Sequence, residues 1–298
     1  MPIVSRHIRA SLPLAPLHRL DLPWLAQAGI ECAALRLDLI DPLISGNKWF
    51  KLQYYLEEAE RCGANGLISL GGAYSNHLHA LAAAGHRFDF ETVGLLRGEP
   101  KATPTVRDLQ QFGMRLHWLG YGGYRERHQE GFWKTWQEHY PTLLPVPEGG
   151  GGLPGAQGCA EIVQQAEAQL AALGWADFDA WWLAAGTGTT MAGLALAERG
   201  RRLVYGALAV PPGHGVPEQV GAIVQQGFEW VPASRKGFGK TDEGLLAFMA
   251  EQAAALPLEP LYTGKALMAL YEYATQGTFR RGTRLVFVHT GGMQGARF

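Results

Sequence analysis

Short apolar runs alternating with segments of helical periodicity set the narrowest limit on what this chain can fold into. Runs at 66–70, 92–97, 114–119, 179–185, 202–210 and 284–289 are mostly apolar along their length, as in strands buried on both faces. Between them the spacing predicts helices. One begins near Lys48, with Trp49, Phe50, Leu52, Leu56 and Ala59 as its buried face, and an Ala-rich one ends near Gly85. Others fall at 105–112, 124–140, 155–173, 190–199, 215–227, 242–254 and 265–275. This strand–helix rhythm predicts an α/β protein with mainly parallel sheets covered by helices on both faces. It breaks at the Gly-rich passage from Pro147 to Gly155, which suits a domain junction or a second anion-binding turn.

Composition narrows the class of function. The 298 residues are 47 % hydrophobic and 18 % charged, enough for one large or two modest domains. A net charge of −1 with both signs interspersed provides no basic stripe for nucleic acid and no polybasic patch for a membrane. Cys32, Cys62 and Cys159 are widely spaced and form no C-x-x-C pair, which predicts core thiols in a reducing compartment and no metal site. The stretch Met1 to Pro16 carries Arg6 and Arg9 without a continuous apolar run, and no later segment reaches the ~18 apolar residues of a membrane span. The expected partner is a small molecule, and the expected location is the cytoplasm.

Two segments carry chemistry. In Ser45-Gly46-Asn47-Lys48-Trp49-Phe50-Lys51-Leu52, Asn47 reads as an N-cap and Lys48 falls in the first helical turn. The helix dipole disfavours a cation there and makes the neutral amine easier to populate, which is the form that Schiff-base chemistry requires. The alternative is a solvated surface lysine. In Ala184-Ala185-Gly186-Thr187-Gly188-Thr189-Thr190-Met191, a glycine–threonine loop follows a buried strand and opens onto a helix N-terminus, offering N–H donors and hydroxyls to a phosphate. The glycine spacing departs from G-x-G-x-x-G, so a phosphate monoester fits better than a dinucleotide, and a tight turn without ligand is the plain alternative.

Together these segments resemble the fold type II (tryptophan synthase β-like) family of pyridoxal-phosphate enzymes. More narrowly, they resemble the group of 1-aminocyclopropane-1-carboxylate (ACC) deaminases and D-cysteine desulfhydrases. The resemblance rests on Arg36 and Asp38, the Lys48 segment, Gly71-Gly72 with Ser75-Asn76-His77, residues 149–155, Gly186 to Thr190, Tyr262-Thr263-Gly264-Lys265, and His289-Thr290-Gly291-Gly292. It implies two three-layer αβα domains with the active site between them: a larger cofactor-binding domain of 1–50 and 150–298, and a smaller one of 51–149. It also implies pyridoxal 5'-phosphate as cofactor, Lys48 as the Schiff-base lysine and α-proton acceptor, and Lys51 facing elsewhere as a structural residue. Gly186, Thr187, Gly188, Thr189 and Thr190 would hold the phosphate, and Asn76 the phenolic oxygen. Ser75 and His77 would line the substrate-carboxylate pocket with Asn76. Tyr262 would lie over the cofactor as a general acid or a guide for substrate, with Thr263 and Thr290 beside it. Asn76 and Tyr262 also have plain readings, as an N-cap and a core aromatic, and His289 reads as a core histidine.

The resemblance also bears on the reaction. ACC deaminases of this group carry a glutamate after the tyrosine and a leucine before the Gly-Gly pair, where this chain has Thr263 and Thr290. Without a carboxylate to keep the pyridine nitrogen protonated, the electron sink is weaker. A weaker sink suits α,β-elimination on a small D-amino acid such as D-cysteine, giving pyruvate, ammonia and sulfide. Ring opening of ACC, or cofactor binding with little turnover, is the alternative. A β-replacement synthase is a further rival. Phe238 stands where the group has a second active-site tyrosine, which leaves the substrate open. A homodimer is expected.

Overall fold

The computed structural model describes Ile3, residues 14–237 and residues 239–297. Its strands are β1 (Leu17–Arg19), β2 (Glu31–Arg36), β3 (Gly66–Gly71), β4 (Glu91–Leu96), β5 (Arg115–Trp118), β6 (Leu143–Pro145), β7 (Ala180–Ala185), β8 (Leu203–Leu208), β9 (Phe228–Pro232) and β10 (Arg284–His289). Its helices are α1 (Pro23–Ala28), α2 (Asn47–Arg61), α3 (Asn76–Phe88), α4 (Pro104–Gln111), α5 (Gly120–Arg125), α6 (Phe132–His139), α7 (Gly152–Ala160), α8 (Ile162–Glu167), α9 (Thr189–Glu198), α10 (Val216–Gly221), α11 (Glu243–Gln252) and α12 (Thr263–Thr275). A six-stranded sheet runs β1-β2-β10-β7-β8-β9, parallel except for β1, which lies antiparallel to β2. A second, four-stranded sheet runs β5-β4-β3-β6 and is parallel throughout. The architecture is α/β with mainly parallel sheets.

Consecutive tryptophans show why the larger sheet is covered on both faces. Side chains alternate along a strand, so Trp181 and Trp182 of β7 leave it in opposite directions, both buried. Trp181 Nε1 donates to Glu198 Oε1 of α9 at 2.6 Å, and Trp182 Nε1 donates to the Ala266 carbonyl of α12 at 2.8 Å. Each indole thus fills one core layer and spends its single donor on the covering helix.

Close helix packing connects this sheet to the rest. Helix α7 lies between α2 and α9 at backbone contact. A Cβ at Gly158 would come within 1.9 Å of the Phe50 carbonyl oxygen, and one at Gly193 within 2.3 Å of the Ala156 carbonyl oxygen. Interiors packed this tightly transmit small shifts, so α2 and α9 are set relative to one another through α7.

Several expected boundaries change. The helix expected at 124–140 divides into α5 and α6 because Gly131 adopts φ 92°, outside the helical region. The one expected at 155–173 divides into α7, α8 and a 3₁₀ turn, and the one at 215–227 ends at Gly221. β1, β2, β6, β9 and α1 were not expected; β1 and β6 are only three residues long. Asn47 is not an N-cap: Gly46 holds that position at φ 71°. A Cβ there would come within 2.1 Å of the Thr290 carbonyl oxygen, which accepts the Asn47 N–H at 3.1 Å. Among the described residues no helix is long and apolar enough to cross a membrane.

Candidate active site

Loops leaving the carboxyl ends of β3, β4, β7 and β10 meet around one cavity of about 390 Å³, the usual place for ligands on parallel sheets. Lys48, Ser75, Asn76, His77, Gly186, Thr187, Gly188, Thr190, Tyr262 and Thr290 all line it, and so do Lys51 and Asn47.

Lys48 is the second residue of α2, half-buried on the cavity wall. Its Nζ donates to Asn47 Oδ1 at 2.8 Å, while Asn47 Nδ2 donates to Thr190 Oγ1 at 2.8 Å. The Asn47 amide therefore joins the lysine to the glycine–threonine loop. Burial, and next the adjacent Lys51 cation, hold the Lys48 amine well below the usual lysine range. Lys51 does not face elsewhere. It is buried, with Nζ 3.2 Å from the Gly149 carbonyl oxygen and 3.3 Å from Thr187 Oγ1. The reason is geometric: residues three apart on a helix share a face.

The loop after β7 forms a cradle at the N-terminus of α9. Gly188 sits at φ 69°, and a Cβ there would meet Val220 Cγ2 at 2.2 Å. Gly186 lies under the Tyr262 ring, where a Cβ would approach Cε1 to 2.8 Å. Helix-start N–H groups, the Thr187 hydroxyl and the buried Lys51 cation converge here, a donor set suited to a phosphate. Thr189 does not line the cavity; it is buried, with its hydroxyl 3.0 Å from Thr187 Oγ1.

On the opposite wall Ser75 is the N-cap of α3, its Oγ accepting from Leu78 N at 3.2 Å. Asn76 is thus the first helical residue, not the cap. Its Oδ1 accepts from Gln294 Nε2 at 3.0 Å, and its Nδ2 lies beside Gly292. His77 is buried, with Nε2 2.8 Å from Ser69 Oγ, and Ser69 in turn donates to the Val146 carbonyl at 2.8 Å. The imidazole therefore donates through Nε2, and its Nδ1 has no hydrogen-bond partner among the described residues. Burial, then the Lys48 and Lys51 cations, push its pKa well down and keep the ring neutral.

Tyr262 packs its ring on Gly186, and burial followed by the nearby Glu259 charge raises its pKa, so the phenol stays protonated. Thr263, expected at the cofactor, does not line the cavity. It opens α12 fully buried, and its Oγ1 accepts the Glu259 N–H at 3.0 Å. Glu259, unmarked by any motif, is buried and accepts the N–H groups of Leu261 (2.8 Å), Tyr262 (2.8 Å) and Thr263 (2.6 Å). Burial raises its pKa while these bonds oppose the rise. Its position four residues before a helix-opening threonine was the available signal. Phe238 lies outside the described residues; Gly239 beside it lines the cavity.

The remaining motif residues hold the loop that caps α2. Arg36 pairs with both oxygens of Asp38 (2.8 and 2.6 Å), and Asp38 Oδ1 lies 3.2 Å from His289 Nδ1. His289 is a buried core histidine, with Nε2 2.8 Å from the Pro257 carbonyl oxygen.

Comparison with known proteins gives a consistent result. Residues 7–291 match the family described as "Pyridoxal-phosphate dependent enzyme". The D-cysteine desulfhydrase of Klebsiella pneumoniae is 28 % identical over 97 % of this chain and 95 % of its own. The bifunctional D-cysteine desulfhydrase/ACC deaminase of Arabidopsis thaliana, a mitochondrial protein, is 28 % identical over 96 % of this chain and 78 % of its own. The ACC deaminase of Ralstonia pickettii is 28 % identical over 94 % and 91 % respectively. Among solved structures, an ACC deaminase homologue superposes with a TM-score of 0.80 over 98 % of this chain and 96 % of its own, at 22 % identity, a likeness of fold.

Proposed function

The chain belongs to the pyridoxal-phosphate dependent enzymes, and on that premise we propose that it is a lyase that catalyses α,β-elimination on a small D-amino acid of the D-cysteine type. Its cofactor is pyridoxal 5'-phosphate, which, when bound, supplies an electron sink for negative charge at the substrate α-carbon. In this reading Lys48 would hold the cofactor covalently, and its amine, once displaced by the incoming substrate amine, would take the α-proton. Lys51, Thr187 and the first N–H groups of α9 bind the phosphate, and Asn76 Nδ2 donates to the ring oxygen. The Ser75 hydroxyl already accepts from Leu78 N, which leaves its O–H to donate. With the first N–H groups of α3 it binds the substrate carboxylate. Tyr262 covers the site with a protonated phenol.

One observation carries the preference for elimination: the cavity wall offers no uncommitted carboxylate among the described residues. Glu148 is the only acid on it, and it accepts from Tyr124 Oη at 2.6 Å and Arg127 Nε at 2.9 Å. Glu259 is committed to three backbone N–H groups. Nothing acidic is left to hold a pyridine nitrogen protonated, and removing an α-proton with a good leaving group demands less electron withdrawal than opening a carbon ring. The domain division, 1–50 with 150–298 against 51–149, a homodimeric assembly and a cytoplasmic location belong to the same reading. The division is supported by the placement of all six strands of one sheet in the first part and all four of the other in the second.

The test is product analysis of the cofactor-loaded protein with D-cysteine, L-cysteine, D-chloroalanine and ACC. Pyruvate, ammonia and sulfide in equal amounts from D-cysteine are expected. Ammonia and 2-oxobutanoate from ACC, with D-cysteine untouched, would overturn the reading in favour of ring opening.

A further inference from the structure

We propose that Gln294 is a positioning residue that fixes which end of the Asn76 carboxamide faces the cavity. This rests on the reading that Asn76 donates to the ring oxygen of the cofactor. The two ends of a carboxamide are nearly the same size, so only their partners choose between the NH₂ and the oxygen. The pair is matched only when one amide presents its NH₂ and the other its oxygen, and in the structure Gln294 Nε2, which can only donate, faces Asn76 Oδ1 at 3.0 Å. The oxygen end is thereby held against the C-terminal turn, and the NH₂ end is left for the cavity. The reverse orientation would turn the Asn76 oxygen toward an oxygen that carries negative charge.

The turn that carries Gln294 is itself fixed to the helix that carries Asn76. Arg297 Nε donates to the Gln294 carbonyl at 3.0 Å, and the Arg297 guanidinium pairs with Asp108. Asp108 lies 3.1 Å from Nε2 of buried His79, which is on α3 three residues after Asn76. Asn76, Gln294, Arg297, Asp108 and His79 therefore close a ring from α3 through the C-terminal turn and α4 back to α3. The close approach is made possible by Gly292: it sits at φ 94°, and a Cβ on it would come within 2.7 Å of Asn76 Nδ2.

The experiment follows the visible absorption band of the cofactor-loaded protein against pH, together with bound cofactor per chain. The variants are Gln294→Ala, Gln294→Glu, Asn76→Ala and the Asn76→Ala/Gln294→Ala pair. Asn76→Ala is expected to move the band's pH midpoint by roughly half to one unit, the size that one lost hydrogen bond gives. Gln294→Ala should move it the same way by less. Gln294→Glu, whose carboxylate can only accept and so turns the amide over, should move it at least as far as Asn76→Ala. The double variant should go no further than Asn76→Ala alone. If both Gln294 variants keep the wild-type midpoint while Asn76→Ala shifts it, the positioning role is wrong. An unchanged band in Asn76→Ala would instead remove the reading of Asn76, and with it the inference.

Discussion

Lys51 Nζ lies 3.3 Å from Oγ1 of Thr187, so a buried cation from the second turn of α2 meets the loop that opens α9. A charge-assisted contact of this kind is worth about 1.5–3 kcal/mol. Lys51→Met is therefore expected to weaken pyridoxal-phosphate binding roughly 10- to 100-fold, measured by equilibrium titration of the apoprotein. An unchanged affinity would show that the cation is not used by the phosphate.

The same substitution tests the electrostatics of Lys48. Its pKa is depressed first by burial and next by the Lys51 charge, so removing that charge favours protonated Lys48 and raises its pKa. The neutral amine then appears only at higher pH. In the apoprotein, the pH midpoint for reaction of Lys48 with an aldehyde reagent should move upward in Lys51→Met. Burial keeps it below that of surface lysines. A midpoint unmoved by the substitution would contradict the coupling.

Packing at α7 should reach the chemistry. Gly158→Ala forces a methyl group to 1.9 Å from the Phe50 carbonyl oxygen on the helix that carries Lys48. Overpacking of this kind costs about 1–3 kcal/mol. Thermal unfolding is expected to shift down by several degrees, with kcat reduced as α2 is displaced. Gly221→Ala is the comparison for an uncrowded methyl, since Gly221, like Gly158, is not at positive φ and has no atom within 4 Å of an added Cβ.

Glu259 couples stability to pH with an unusual sign. Its pKa is raised by burial, so the folded state binds more protons than the unfolded state between the ordinary carboxylate value and the raised one. The group favours folding most below the ordinary value, and this contribution is lost as pH rises through the raised one. Relative to Glu259→Gln, which does not titrate, the wild type should gain stability as pH falls from 7 toward 5 in denaturant melts. Glu259→Ala leaves three N–H donors unpaired and should cost about 2–4 kcal/mol at pH 7, a cost that grows as the pH falls.

The parts of the site legible in the sequence are those where residue type alone decides. Ala180 to Ala185 is apolar on both faces and reads as a buried strand, and Gly186 to Thr190 reads as an anion cradle because few other segments expose that many donors. Lys48 stands out by its place in the first turn of a helix. The rest depended on neighbours that are distant in sequence. Residue type reads Asn47 as an N-cap and leaves that reading open for Asn76, but Gly46 and Ser75 hold those positions, and the two side chains reach Thr190 and Gln294 instead. Thr263 matched a motif, but its partner is Glu259 and not the cavity. The resemblance implies that Lys51 faces away from the site, although i,i+3 spacing places it beside Lys48. Gln294 belongs to no motif, and its role is visible only once the C-terminal turn is seen against α3.

The central claim is that the cofactor is held by Lys48 and no other lysine. Reducing the loaded protein with borohydride, digesting it and locating the pyridoxyl group by peptide mass spectrometry tests this directly. The predicted result is a single modification on Nζ of Lys48, absent in Lys48→Ala. Modification of Lys51 or Lys265 instead, or a wild-type label in Lys48→Ala, would contradict it.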